Sequence, residues 1–589
     1  MFKDTDSLPV LAMAAFNRPG FKGFFHRRND EWVCYDSENL QSSIYFLSLA
    51  LKKIGIGKGV GVGIIASSSP KWSIVDIATQ ICGGYVVPLF SNISSEYFEF
   101  QIKDAQIKAL AVESGESLSQ ETYQLANEID SLIYMFSSPA NAEHKNSFSW
   151  EDFIEMGKKL DCDDERKNFA ERLKNIDPEE IFSIIYTSGS TGTPKGVPLT
   201  QKNMIVHLRS IAEIFPLDPD KNIHMSILPV AHVFERMSVY YFSSIGLPVY
   251  FADTPNNVGK YLPDIKPSVL TVVPRVLEKL YDKLTGAARQ KHGPIKWLMK
   301  YAINKAKNAD PSKVNLRGTI WDKLVYSKMR AALGGNFSLI VSGSSALNIS
   351  VNRFLRNIGL PILEGYGMTE CSPVISAENP GNAKMGSVGK PISCIKVKIS
   401  EEGEILVKGE SVFSGYFNRS DLNSEIFTED GFFHTGDKGR IDEDGYIWIT
   451  GRVKEMFKTS TGKYVSPVPI EQALCQRTSL IEAAQVFAEG KKFTSALLFL
   501  NVDIVKNRLK KSDAEFSTEK ALKSNRINAY LQKNVDAVNR HLSEWEKIKK
   551  WKAIFATLTT ENGLLTPTMK LRRSEVEKTF ASEIDGMYE

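Results

Sequence analysis

Cysteine is scarce and scattered: Cys34, Cys82, Cys162, Cys371, Cys394 and Cys475 stand far apart in 589 residues, with no CxxC pair. That spacing suggests neither a disulfide framework nor a zinc site and fits a reducing cytoplasm. An export signal is lacking too, because the opening MFKDTDSLPV carries Lys3, Asp4 and Asp6 ahead of only a short apolar stretch. Two long uncharged runs, Ile77 to Ser95 and Ala331 to Asn352, are interrupted by Gly, Asn and Ser. Neither supplies the roughly 20 mainly apolar residues of a spanning helix, which leaves peripheral contact with a bilayer open. No sign of charge dominates: 73 Lys+Arg face 69 Asp+Glu, net +4, so a nucleic-acid partner is not expected. Fixed-period repeats and low-complexity tracts are absent. The chain is nonetheless long enough for several domains of about 100–200 residues each.

What is present begins with alternating periods. Ile44, Leu47, Leu51 and Ile54 fall at helical spacing, and GVGVGIIA (59–66) reads as a strand. A helix around 72–81, a strand at 84–89, a helix from about 96 to 104 and a strand at 107–113 follow. Such alternation predicts a doubly wound α/β fold with a mostly parallel sheet. Further strands are expected at 181–186, 247–252, 268–273 and 338–343. From 386 to 450, short alternating segments with Gly turns predict a β-barrel-like subdomain. Beyond Gly451-Arg452 the composition turns Lys-rich and helical through Trp551, which places a boundary there: a large domain over 1–451 and a small α+β domain over 452–589.

The densest chemistry lies in Tyr186-Thr-Ser-Gly-Ser-Thr-Gly-Thr-Pro-Lys-Gly-Val197, straight after an apolar strand. Small residues let backbone N–H groups converge on an anion, and hydroxyls with Lys195 add donors and charge, as a polyphosphate cradle requires. It is not a Walker loop, since Lys195 is followed by Gly196. The string differs from YTSGTTGxPKG only at Ser190. It resembles the hallmark of the AMP-forming adenylate ligases, the family of acyl-CoA synthetases, peptide-synthetase adenylation domains and firefly luciferase. More of the family's motifs follow in order: Glu364-Gly-Tyr-Gly-Met-Thr-Glu370, His434-Thr-Gly-Asp437, Gly451-Arg-Val-Lys-Glu455 with Lys458 and Gly462, and Thr566-Pro-Thr-Met-Lys-Leu-Arg-Arg573. The last has Met569 where many relatives have Gly, and its TPTxKLRR form is similar to the long-chain fatty acyl subgroup.

The resemblance implies that ATP and Mg²⁺ activate a carboxylate as acyl-AMP, which then passes to coenzyme A. Attack of one anion on another calls for cations, oriented donors and positioning. The implied nucleotide site comprises Thr187, Ser188, Gly189, Ser190, Thr191, Gly192 and Lys195, then Gly343, Ser344 and Ser345. It continues with Glu364, Gly365, Tyr366 (stacking on adenine), Gly367, Met368, Thr369 and Glu370. Asp437 suits the ribose hydroxyls, since one carboxylate accepts from both, and Arg452 is implied at the ribose or phosphates. Thr187 and Glu370 are implied for Mg²⁺, which takes oxygen ligands. Lys195 and Glu370 are expected in catalysis beside Lys570, the terminal lysine that serves adenylation. The C-terminal domain is expected to turn about Lys454, bringing Lys458 to the site for thioester formation, with Gly462 and Tyr464 along the pantetheine route.

Substrate identity rests on less. Leu228-Pro-Val-Ala-His-Val-Phe-Glu-Arg236 resembles the LPLAHVFER stretch of long-chain acyl-CoA synthetases, so His232 either lines the acyl site or is a core histidine. The alternatives are an acyl-AMP ligase serving an acyl carrier protein, or a silent nucleotide- or lipid-binding homologue. Residues 452–589 hold 24 Lys+Arg against 17 Asp+Glu, net +7, and the remainder is net −3. This basic tail suits the phosphates of coenzyme A or an anionic membrane face, or it is a solvated lysine-rich helix around 543–552.

Overall fold

The computed structural model describes the whole chain except residues 1, 4–5, 29, 91–92, 127, 138–145, 188–192, 253–256, 288–291, 312, 454–456, 461–462, 479, 510–515, 560–561 and 566–570, and except the side chains of 287, 458, 476 and 507. It divides into two compact units. One comprises Met1–Lys398, Leu406–His434 and Ile441–Ile447, the other Ile399–Ile405, Thr435–Arg440 and Trp448–Glu589.

Two sheets build the first unit. Seven strands lie in the order Ser147–Ser149, Ser131–Ser137, Ile107–Ser114, Gly61–Ile65, Tyr85–Pro88, Ile181–Thr187, Lys195–Thr200. Every neighbouring pair is parallel except the last. The central strand Gly61–Ile65 is buried along its whole length, as a parallel strand covered on both faces must be. Helix Pro70–Ile81 covers part of it and starts cleanly, because Ser69 Oγ accepts from the Trp72 amide at 3.2 Å and Pro70 opens the first turn.

The second sheet has nine strands: Lys390–Pro391, Val374–Ala377, Ile362–Gly367, Leu339–Ser342, Val269–Val272, His224–Ser226, Val249–Phe251, Phe24–Arg28 and Glu31–Tyr35. From Ile362–Gly367 through Phe24–Arg28 all neighbours are parallel. Helices close one large apolar core beneath it, with Leu262, Leu277, Tyr326 and Phe354 at its centre. The Gly-turn segments between 386 and 450 contribute to a four-stranded sheet ordered Ile395–Ile399, Glu404–Gly409, Phe433–Ile441, Ile447–Arg452.

In the second unit, a three-stranded sheet ordered Ile481–Phe487, Thr494–Leu500, Ile548–Ile554 packs with helices Pro467–Arg477 and Asn525–Asn539 around its own core. The expected lysine-rich helix over 543–552 is corrected here. Ile548–Ile554 is a strand, parallel to Thr494–Leu500. Its lysines Lys549, Lys550 and Lys552 are exposed while Ile548 and Ile554 are buried, and the partner that makes it a strand lies some fifty residues earlier. No described helix is long and apolar enough to cross a membrane.

Candidate active site

Strands Ile181–Thr187 and Lys195–Thr200 form a hairpin in which Thr187 pairs directly with Lys195. The two ends of the hydroxyl-rich loop are therefore side by side, and Thr187 Oγ1 donates to the Lys195 carbonyl at 3.4 Å. The predicted residues Ser188, Gly189, Ser190, Thr191 and Gly192 lie outside the described residues. Tyr186, at the head of the motif, donates to Asp104 Oδ2 at 2.5 Å, and burial with that carboxylate pushes its phenol far above its ordinary value.

Lys195 meets Glu370 through a residue that motif reading passed over. Its ammonium stands 4.9 Å above the ring of Tyr416, whose hydroxyl donates to Glu370 Oε1 at 2.9 Å. Burial and the Glu370 charge push the Tyr416 phenol up, so it stays a donor. The backbone holds all three in place: the Phe417 amide donates to the Gly196 carbonyl at 2.9 Å, and the Phe413 amide to the Glu370 carbonyl at 2.8 Å. Nothing local in SGYFNRS marks Tyr416, because its partners come from elsewhere in the chain.

Glu370 sits in a single helical turn, Thr369–Cys371, after the strand Ile362–Gly367. That strand is irregular at Tyr366/Gly367, and a side chain at Gly367 would stand 2.0 Å from the Pro373 carbonyl, so only glycine permits the turn. Tyr366 is nearly buried, and Gly365, Met368 and Thr369 are half-buried. Glu364 faces inward. Its carboxylate accepts from Asn352 Nδ2 at 2.6 Å and from the Leu347 amide at 3.2 Å, while its own amide donates to Glu378 Oε2 at 2.8 Å. Glu378 is in turn paired with Arg356. Burial and the neighbouring Glu378 charge raise the Glu364 carboxyl to about 7. These contacts anchor the strand that carries Tyr366 and leads into the Glu370 turn.

Leu339–Ser342 and Ile362–Gly367 run parallel with Ser342 beside Glu364. Gly343-Ser344-Ser345 and the Gly365–Thr369 turn thus leave the same carboxyl end of the sheet, where α/β folds bind ligands. Ser344 adopts a left-handed φ of 71°, and it and Ser345 are exposed. A Cβ on Gly343 would lie 3.2 Å from the Phe234 ring. Phe234 is in the first turn of helix Val233–Ser244, whose N-cap is His232. His232 is half-buried with its ring 4.8 Å from that of Phe90. That helix is pinned by Arg236, whose guanidinium binds Asp76 and donates to Ser183 Oγ at 2.7 Å.

In the second unit, Arg452 Nε donates to Asp437 Oδ1 at 2.8 Å, and the Asp437 amide donates to Thr435 Oγ1 at 3.1 Å. Tyr464 is 55% exposed; its carbonyl accepts from Trp545 Nε1 at 3.1 Å. Lys463, Lys492 and Lys549 line a cleft of about 260 Å³ beside Trp545 and Phe493. Lys454, Gly462 and Lys570, with the side chain of Lys458, lie outside the described residues.

Thr187 and Glu370 offer hydroxyl and carboxylate oxygens, and the described residues contain no group of three or more His, Cys, Asp or Glu able to enclose a metal. Two hard oxygen donors fit Mg²⁺ that arrives with phosphates and keeps water ligands.

Comparison with known proteins agrees along the chain. The AMP-binding enzyme model matches residues 24–417, and the AMP-binding enzyme C-terminal domain matches 455–589. A long-chain-fatty-acid–CoA ligase of Mycobacterium bovis is 33% identical over 95% of this chain and 92% of its own. Long-chain-fatty-acid–CoA ligase 5 of Mus musculus is 30% identical over 95% and 84%. Among solved structures, the adenylation domain of a carboxylate reductase from Mycobacterium chelonae superposes with a TM-score of 0.75 at 19% identity, covering 98% of this chain and 92% of that one. The Bacillus subtilis o-succinylbenzoate CoA synthetase with ATP and magnesium gives 0.67 at 18%, covering 96% and 99%. With one family model spanning both large sheets and a second taking up where the first unit's chain ends, this chain belongs to the AMP-binding enzymes.

Proposed function

We propose that the protein is a fatty acid–CoA ligase that activates long-chain fatty acids with ATP and passes the acyl group to coenzyme A. The observation that carries this reading is the Lys195–Tyr416–Glu370 grouping at the mouth of the hydroxyl-rich hairpin, in a chain akin over nearly its full length to long-chain-fatty-acid–CoA ligases. The fatty carboxylate oxygen attacks the α-phosphorus of ATP and pyrophosphate leaves. The coenzyme A sulfur then attacks the acyl carbonyl and AMP leaves.

Lys195 and the 188–192 loop hold the phosphates, where a fixed cation and backbone donors lower the repulsion between anions. Thr187 and Glu370 hold Mg²⁺, which supplies charge neutralisation on the phosphates when bound. Tyr416 fixes the Glu370 carboxylate by donating to it. Tyr366 stacks on adenine over the Gly343–Ser345 loop, Asp437 takes the ribose hydroxyls, and Arg452 releases Asp437 to meet ribose or phosphate. His232 and Phe234 face the acyl group. Lys570 steadies the charge that builds during adenylation, and Lys454, Lys458, Gly462 and Tyr464 serve the thioester step. The boundary falls between 1–451 and 452–589, with the hinge at Lys454. The cytoplasm, which holds ATP and coenzyme A, is the compartment this reading calls for.

A panel of fatty acids of increasing length, assayed for AMP and acyl-CoA, tests the substrate. No thioester with any long-chain acid would overturn it. Lys570→Ala is expected to lower adenylation by about 10²–10³-fold while preformed acyl-AMP still reacts with coenzyme A. Equal loss in both steps would remove Lys570 from its role.

A further inference from the structure

Exposed apolar side chains gather in one stretch of the chain. Of fourteen large apolar side chains exposed among the described residues, six lie between 295 and 324: Ile295, Trp297, Tyr301, Val314, Ile320 and Leu324. The three most exposed of the fourteen are among them, Trp297 at 67%, Ile320 at 64% and Ile295 at 59%. Monomer surfaces rarely leave such a cluster in water without a partner.

The arrangement is ordered. Helix Gly293–Asn308 buries Ala302, Ile303 and Ala306, and Trp297 and Tyr301, one turn apart, project from its opposite side. Their rings stack at 5.8 Å, and Tyr301 reaches Trp321 at 4.8 Å, so an aromatic row joins the helix to the segment that follows. Lys305 Nζ closes the row, 5.9 Å from the Trp321 ring. These side chains are held in place by one another, which lowers the entropy cost of docking.

Charge decides what fits there. Residues 292–330 contain nine Lys+Arg and two Asp+Glu, net +7, and one of the two acids, Asp322, is spent on Arg330 at 2.6 Å. Lys296, Lys300, Lys305 and Lys323 are exposed and interleave with the apolar side chains. Residues 1–451 as a whole are net −3, so this face is a basic island on an acidic body. Protein interface cores are depleted of lysine. Tryptophan and tyrosine beside lysines are instead the composition of a surface that rests at the headgroup level of a bilayer, rings at the acyl boundary and ammonium groups among phosphates.

We propose that the face formed by helix Gly293–Asn308 and residues 314–324 docks the protein on an anionic lipid bilayer. Trp297, Tyr301 and Ile320 enter the headgroup boundary, and Lys296, Lys300 and Lys305 meet the lipid phosphates. The inference stands apart from the ligase reading, because its evidence is this surface and its readout is binding.

The test is co-sedimentation of the full chain with vesicles of phosphatidylcholine alone and with about 30% phosphatidylglycerol added. Binding to the anionic vesicles, weakened about tenfold or more by ~0.5 M salt, is expected. Trp297→Ser with Ile320→Ser should lower partitioning about tenfold or more, and Lys296→Glu with Lys300→Glu should abolish the preference for phosphatidylglycerol. Both variants should keep the parent melting temperature and the parent's activity toward a short, water-soluble acid. Absence of parent binding, unchanged binding by either variant, or a concentration-dependent dimer that the apolar variant dissolves would overturn the proposal, the last by assigning the face to a second copy of the chain.

Discussion

Arg236 is 1% exposed and its guanidinium is fully engaged: Asp76 takes two of its nitrogens, Ser183 Oγ another, and Trp72 and Phe182 stand at 5.0 Å. Arg452 pairs with Asp437 at 2.8 Å with 52% of its side chain in solvent. The first pair joins helix Val233–Ser244 to helix Pro70–Ile81 and to the strand Ile181–Thr187. Each charge there is desolvated, so each depends on the other. The second pair is wet on one side, where exchange of one partner for a ligand oxygen costs little. The same two functional groups are locked into the fold in one place and left open to exchange in the other, and burial decides which.

The comparison breaks first at Arg236. Arg236→Met strands the Asp76 carboxylate in the core, and urea melts should show a loss of about 3–5 kcal/mol. Retained stability with weakened ATP binding would reverse the assignment. Next comes Tyr416→Phe, which removes a hydrogen bond to a buried carboxylate worth about 1.5–3 kcal/mol. kcat/KM for the acyl-AMP step should fall about 10–100-fold, with a stability loss no larger than the worth of that one hydrogen bond. A large stability loss with unchanged kcat/KM would move Tyr416 to the Arg236 side of the comparison.

Glu364 lies between these extremes. Its folded carboxyl titrates at about 7, raised from 4.5, so the folded state holds the proton more tightly than the unfolded chain. The stability this gives is fully present below the ordinary carboxyl range and is lost as pH rises through about 7. Thermal melts of the parent should therefore decline from about pH 5 to about pH 8, and Glu364→Gln should flatten that slope. Asn352 Oδ1 has no hydrogen-bond partner among the described residues and can accept the added proton once its amide turns over. An unchanged slope would place the titration elsewhere. The smallest effect is expected of Arg452→Ala: under about 1 kcal/mol in stability, with KM for ATP raised by about tenfold or less.

Local pattern marks the elements whose own composition defines them. The strand and helix expected at 59–66 and 72–81 are Gly61–Ile65 and Pro70–Ile81, and those expected at 107–113 and 338–343 are Ile107–Ser114 and Leu339–Ser342. Each is a short apolar run bounded by turn residues, so its own composition defines it. Strands that exist only through a distant partner were hidden. Phe24–Arg28 joins its sheet by lying parallel to Val249–Phe251, and Ile548–Ile554 looks helical until Thr494–Leu500 stands beside it. The site divides in the same way. Lys195 and Glu370 stand in recognisable strings, whereas Tyr416, which links them, lies 46 residues from Glu370 in an unremarkable turn. Glu364 shares a string with Tyr366, yet its carboxylate is taken by Asn352 and the Leu347 amide and its own amide by Glu378, distant partners that a motif does not display.

The contact between Gly343 and Phe234 bears on how this enzyme can change over generations. One hydrogen atom at Gly343 separates the loop at the end of Leu339–Ser342 from the first turn of Val233–Ser244. An enlarged residue 343 must displace Phe234, and a reshaped residue 234 alters what position 343 tolerates. Substitutions at these two sites should be strongly non-additive, because both side chains draw on one shared space and neither position can be altered without resetting what the other accepts.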